Sequence, residues 1–219
     1  MTKQIKITLA TVLFFIAAIL DIWAVITKNE SVEVIVKPLL MMLLAVVYLV
    51  SVKKPNFWFV LGLFFSFLGD SLLLFSGANY FMFGLAAFLL AHVVYIKITV
   101  GYLQNELTVK MISSAIPFVL YFIVLLYLIY NNLDDMLLPV IVYGVTISTF
   151  GSVALLNYRS EKSTENTWLL IGALIFILSD SLIALNKFYE PSEFYGVSIM
   201  ITYILAQFLI CKAIVLKSK

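Results

Sequence analysis

FWFVLGLFFSFLGDSLLLFS, residues 57–76, is an apolar run of helix length in which Asp70 is the one charged side chain. A second run, TWLLIGALIFILSDSLIAL at 167–185, carries Asp180 in a near-copy of the same segment. Leu68-Gly69-Asp70-Ser71-Leu72 stands against Leu178-Ser179-Asp180-Ser181-Leu182. About 20 apolar residues span the roughly 30 Å of bilayer hydrocarbon. A carboxylate at the centre of such a span costs about 2.5–3.5 kcal/mol on insertion scales, so two of them at matching places point to a paired acid site.

The rest of the chain has the same character. Of its 219 residues 63% are apolar and 12% charged, which places it among integral membrane proteins. Short polar breaks such as Lys53-Lys54-Pro55-Asn56, Ser76-Gly77-Ala78-Asn79 and Asn131-Asn132-Leu133-Asp134-Asp135 divide it into eight helical runs. They lie at about 7–27, 34–52, 57–76, 81–103, 111–131, 136–156, 167–185 and 197–216. Loops this short make sequential helices antiparallel neighbours, so an all-α compact bundle of eight transmembrane helices is expected, with residues 1–219 as a single domain. The first run follows Lys3 and Lys6. It is long for a signal-peptide core, and Asp21 and Trp23 make a poor cleavage site, so it is expected to be retained as a helix.

Charge sets the expected orientation. Lys3, Lys6, Lys53, Lys54, Lys110, Arg159, Lys162, Lys217 and Lys219 fall at the termini or in the even-numbered loops, against only Lys28 and Lys187 in the odd ones. Both termini are therefore expected in the cytoplasm. Helices three and seven then run outward, and Asp70 and Asp180 fall about five or six residues from their outer ends, roughly 8–9 Å deep. The offset between them, 180 − 70 = 110 residues, is half the chain and fits a parallel repeat of four helices plus four. Outside the aspartate segment the halves share mainly apolarity.

Depth sorts the other polar residues. Lys37, Tyr143 and Tyr203 lie within about two turns of the outer face and Asp21 near the same level; His92, Tyr95 and Gln207 reach closer to the midplane. Together they can line one substrate cavity. Lys37 can offer a point charge to a phosphate, and Asp21 or an outer-loop glutamate can receive an ammonium. Each has a plainer reading as well: Lys37 as a snorkelling cation, Asp21 as a structural partner, His92 as a satisfied core histidine, and the tyrosines as packing aromatics with bonded hydroxyls. Lone Cys211 reads as packing. One His and one Cys do not make a zinc site, so no metal is expected and no cofactor is implied. A net charge of +2, scattered along the chain, gives no reason to expect nucleic acid.

Gly-x-Ser-x-Gly, His-Glu-x-x-His and phosphate-binding glycine loops are all absent, which sets aside serine hydrolases, zincins, NTPases and kinases. The repeated reactive unit is the pair of carboxyls. Close together in a low-dielectric pocket two such groups do not both ionise readily, which suits one as acid and the other as base or electrostatic partner.

Lys37-Pro38-Leu39, the Gly69-Asp70 segment, and Gly84 through Phe88 to Ala91-His92 and Tyr95 follow one another in an order that resembles the YhhN-like transmembrane lysoplasmalogenases. Pro139-Val140 with Tyr143, Ser179-Asp180, and Tyr203 with Ala206-Gln207 continue the likeness through helix eight. It implies hydrolysis of the vinyl ether bond of a lysophospholipid, with Asp70 and Asp180 as the catalytic pair and membrane lipid as the surroundings. Helix one, with Asp21, lies outside the resemblance. A proton-coupled transporter of lipid or another small molecule uses the same kinds of intramembrane residue and stays open at this level.

Overall fold

The computed structural model describes residues 2–103 and 108–218; Lys219, one of the charges behind the expected orientation, lies outside the described residues. Eight α-helices follow in order: α1 (Lys3–Thr27), α2 (Glu30–Ser51), α3 (Phe57–Leu73), α4 (Ala78–Val100), α5 (Thr108–Ile129), α6 (Leu137–Ser160), α7 (Thr164–Phe188) and α8 (Glu193–Lys217). There is no strand among the described residues. The protein is an all-α, multi-pass membrane protein. Seven helices are long and apolar enough to cross a bilayer, whereas α3 has 17 residues.

Capping residues set the helix ends, which is why they depart by up to four residues from the limits of the apolar runs. Asn29 Oδ1 accepts from the Val32 amide (3.2 Å) and starts α2 among residues too polar to be counted in the run. Asn56 Oδ1 accepts from the Trp58 amide (2.9 Å), and Ser163 Oγ from the Asn166 amide (3.3 Å). Lys28 closes α1 in the left-handed region (φ 54°), and the Asn29 amide returns to the Ala24 carbonyl (2.9 Å). With one cap ending α1 and the next residue starting α2, the two helices form a tight antiparallel hairpin. At the far end of α3, the chain leaves the helix after Leu73 for a turn through Gly77 (φ 130°), short of the expected limit at 76.

The described residues group into two compact units: the chain through Val94 with its last residues from Ile214, and Tyr95–Ala213. In the first unit, α1 buries Ala10, Phe14, Ala17, Ala18, Asp21 and Ala24, a stripe of three- and four-residue steps, while Ile5, Leu9, Ile16, Ile19 and Trp23 stay on the outside. Burying small residues and exposing large apolar ones is the membrane pattern, because lipid tails are as apolar as leucine and close backbone packing does the holding. Tyr48 of α2 is fully buried, edge-on to Phe59 (4.6 Å), and its hydroxyl accepts from the Asn56 amide (2.8 Å), tying the α2–α3 connection to the helix before it. Helices α3 and α4 meet at Gly69, where an added Cβ would stand 2.6 Å from the Phe88 ring.

In the second unit, Phe118 of α5, Ile147 of α6 and Ile177 of α7 form a buried cluster against which Tyr143 and Leu155 pack. Asn157 on α6 donates to the Thr99 carbonyl (3.1 Å), and Asn166 donates to the Asn157 (3.2 Å) and Glu161 (2.8 Å) carbonyls. Helices α7 and α8 pack tightly at Gly172, where a Cβ would lie 3.1 Å from the Ile210 nitrogen and 3.2 Å from the Ala206 oxygen.

Candidate functional site

The first unit holds four of the sequence-nominated residues. Asp70 is buried on α3, beside Gly69 and thus at the contact with Phe88. It lies three residues before the end of α3 at Leu73, while Asp180 lies eight before the end of α7 at Phe188. Neither is at the five or six residues expected, because the two helices end at different points relative to their aspartates. His92 is fully buried one turn beyond Phe88, and its Nδ1 donates to the Phe88 carbonyl oxygen (2.9 Å). A carbonyl only accepts, so Nδ1 carries the proton of this bond.

Asp21 and Lys37 are brought together. Asp21 is fully buried on the packed stripe of α1, and Lys37 and Glu33 of α2 are the charges that act on it. Lys37 pairs with Glu33 one turn earlier on its own helix. Glu33 was legible as an outer-loop glutamate; the cap at Asn29 places it inside α2 instead, and the four-residue spacing to Lys37 was the signal that marks the pair.

The second unit holds the other five. Tyr143 of α6 donates from its hydroxyl to Asp180 Oδ2 on α7 at 2.5 Å, joining the two helices. Beside Asp180, the Ser179 hydroxyl donates to the Ile199 carbonyl of α8 (3.1 Å), fixing this turn of α7 to its neighbour. Nothing in the sequence alone marked Ser179 for this part. Tyr203 of α8 is buried edge-on to Phe176 of α7, with ring centres 5.7 Å apart. Tyr95 donates to Gln207 Oε1 (2.9 Å), both side chains being buried. Interhelical hydrogen bonds in membranes average about 0.6 kcal/mol and reach about 1.7. Tyr95→Phe is therefore expected to lower stability by less than about 1.7 kcal/mol, read as thermal unfolding in detergent.

Lys212 lies over the Trp168 ring, 3.9 Å from its centre. A groove of about 420 Å³ runs along α5 and α7 between Pro117, Phe118, Tyr121, Leu170, Leu174 and Ile177. Its last α7 residues, Ile177 and Leu178, lie within one turn of Asp180. Chemically, the second unit presents a carboxyl oriented by a phenol, with apolar surface running away from it along the same helix.

Comparison with known proteins gives a consistent family. A sequence model of the YhhN family matches residues 32–214. Lysoplasmalogenase TMEM86A of Homo sapiens is 33% identical over 153 residues, covering 68% of this chain and 61% of its own length. Lysoplasmalogenase TMEM86B of Homo sapiens is 34% identical over 148 residues, 66% of this chain and 58% of its own. A lysoplasmalogenase of Mycobacterium tuberculosis is 29% identical over 163 residues, 73% of this chain and 60% of its own. The match thus spans less than two thirds of the length of these relatives. No solved structure matches the chain.

Proposed function

Because the chain belongs to the YhhN family, we propose that it is a membrane-embedded hydrolase that cleaves the vinyl ether bond of a lysoplasmalogen to a fatty aldehyde and a glycerophospho-headgroup. The observation that carries this reading is the Tyr143–Asp180 bond, a carboxyl held in one orientation inside an apolar span and within the family-matched region. Asp70, buried on α3, is the second acid.

A vinyl ether is activated by a proton on its β carbon. One aspartate donates that proton, and the electron pair of the carbon–carbon double bond forms the new C–H bond. Positive charge then rests on the α carbon and the ether oxygen as an oxocarbenium ion. The other aspartate, as carboxylate, stabilises this cation and takes a proton from the attacking water, as in the two-carboxylate scheme of glycosidases. The resulting hemiacetal collapses to aldehyde and alcohol, returning the borrowed proton, and the sum is addition of one water across the substrate. Tyr143 orients the Asp180 carboxyl through its hydroxyl. The substrate's single chain lies in the apolar groove along α5 and α7, which begins within one turn of Asp180.

The test is aldehyde release from a vinyl-ether lysophospholipid by the purified protein in detergent, with an ester lysophospholipid as control. Aldehyde from the vinyl ether alone supports the proposal. Transport needs a sealed membrane and hydrolysis does not, so an inert protein in detergent that moves lipid in vesicles would overturn it. Removing the phenol tests its positioning role. Tyr143→Phe is expected to lower kcat roughly 10- to 100-fold with KM little changed, the size expected for one hydrogen bond to a charged group. A rise in KM at constant kcat would make Tyr143 a binding residue instead.

A further inference from the structure

Asp21 stands apart from the chemistry proposed above. It lies on α1, before the family-matched region begins at residue 32. It is fully buried, and neither of its carboxyl oxygens has a hydrogen-bond partner among the described residues. A buried carboxyl without donors is expensive in any medium and more so in hydrocarbon, so a side chain kept in that state is one that meets its donors elsewhere. The neighbouring charges define what is missing. Glu33 brings a second carboxyl, and Lys37, already bonded to Glu33, brings an ammonium. Two carboxyls thus act beside one ammonium, and Asp21 is the one left without a donor.

We propose that Asp21 and Glu33 bind the ammonium end of the substrate's headgroup, and that they select a primary ammonium over a quaternary one. A carboxylate with both oxygens unmet needs N–H donors, which an ethanolamine headgroup supplies and a choline headgroup does not. The headgroup phosphate sits two carbons from that nitrogen, which brings it to Lys37. The Lys37–Glu33 pair, whose side chains are 13% and 21% exposed, is more open than the fully enclosed Asp21. An incoming zwitterion exchanges this internal pair for two matched external ones. Assigning the ammonium to the substrate rests on the hydrolase reading; the preference for N–H donors does not.

Binding therefore tests it without turnover. The probes are 1-O-hexadecyl-glycero-3-phosphoethanolamine and its phosphocholine counterpart, saturated ethers that the proposed chemistry cannot cleave, titrated against the full chain in detergent. Wild type is expected to bind the ethanolamine probe about 10-fold or more tightly than the choline probe, and Asp21→Asn to abolish that difference while keeping choline binding. Equal affinities in wild type, or a preference that survives in Asp21→Asn, would overturn the proposal. Should Asp21→Asn not fold, the wild-type ratio of the two probes decides alone. Competition by two-chain phosphatidylethanolamine as effective as the single-chain probe would make this a general lipid site and overturn its assignment to substrate. Aldehyde release from a vinyl-ether lysophospholipid, measured alongside, separates the two readings: hydrolysis without headgroup preference removes only this inference, and preference without hydrolysis removes only the reaction.

Discussion

Asp180→Asn and Asp70→Asn are each expected to lower aldehyde release by roughly 100- to 10,000-fold, the range for loss of a positioned general acid or base. Asn preserves the shape of the carboxyl and can still accept from the Tyr143 hydroxyl, so the fold should survive. The expected loss lies in kcat, because the charge and the proton are needed only once the oxocarbenium ion forms. Under the proposed two-carboxyl reaction the double variant should be little worse than either single one. Near-normal turnover in both single variants would dismiss the aspartates as the catalytic pair. The measurement is initial aldehyde release per folded protein, with thermal unfolding run beside it.

The largest structural loss is expected from Gly172→Leu, about 3 kcal/mol or more, the upper end for overpacking a tight contact. A Cβ there would lie 2.9 Å from Ile210 Cγ1, but also 3.1 and 3.2 Å from α8 backbone atoms, and backbone cannot turn aside as a side chain can. Moving α8 away would also pull Gln207, the residue after Ala206, from Tyr95. Leu174→Ala, two residues on and 46% exposed, should shift stability by only about 0.5 kcal/mol. Comparing thermal unfolding of the two variants in detergent checks this. Equal effects would mean that the close approach of α7 and α8 contributes nothing special.

Hydropathy alone located every helix because a membrane span has to be long and apolar whatever its partners. The ends were less legible. Asn29, Asn56 and Ser163 start helices by side-chain hydrogen bonds that a hydropathy window does not register. Depth was enough to group some of the polar residues: Tyr143 with Asp180 and Tyr95 with Gln207 had been placed at comparable levels, and each pair is hydrogen-bonded. What depth could not give was the partner. Tyr143 and Asp180 are 37 residues apart, and only packing selects that hydroxyl from the chain's other tyrosines. The Ser179 bond to Ile199 was beyond reach for the same reason, since its acceptor is a backbone carbonyl of another helix. Asp21 was visible as a buried charge, but the absence of donors around it is a property of the assembled first unit.

The shortness of α3 bears on the bilayer itself. Its 17 residues rise to roughly 25 Å, some 5 Å less than an average hydrocarbon layer. Local thinning of the lipid beside it is the expected response, which would bring the headgroup region toward the last turn of the helix, where Asp70 lies. Such thinning would shorten the path of water and protons to that carboxyl. Hydrophobic mismatch becomes a control on the protein: thicker bilayers strain this thinned region, and turnover in vesicles should fall as acyl chains lengthen.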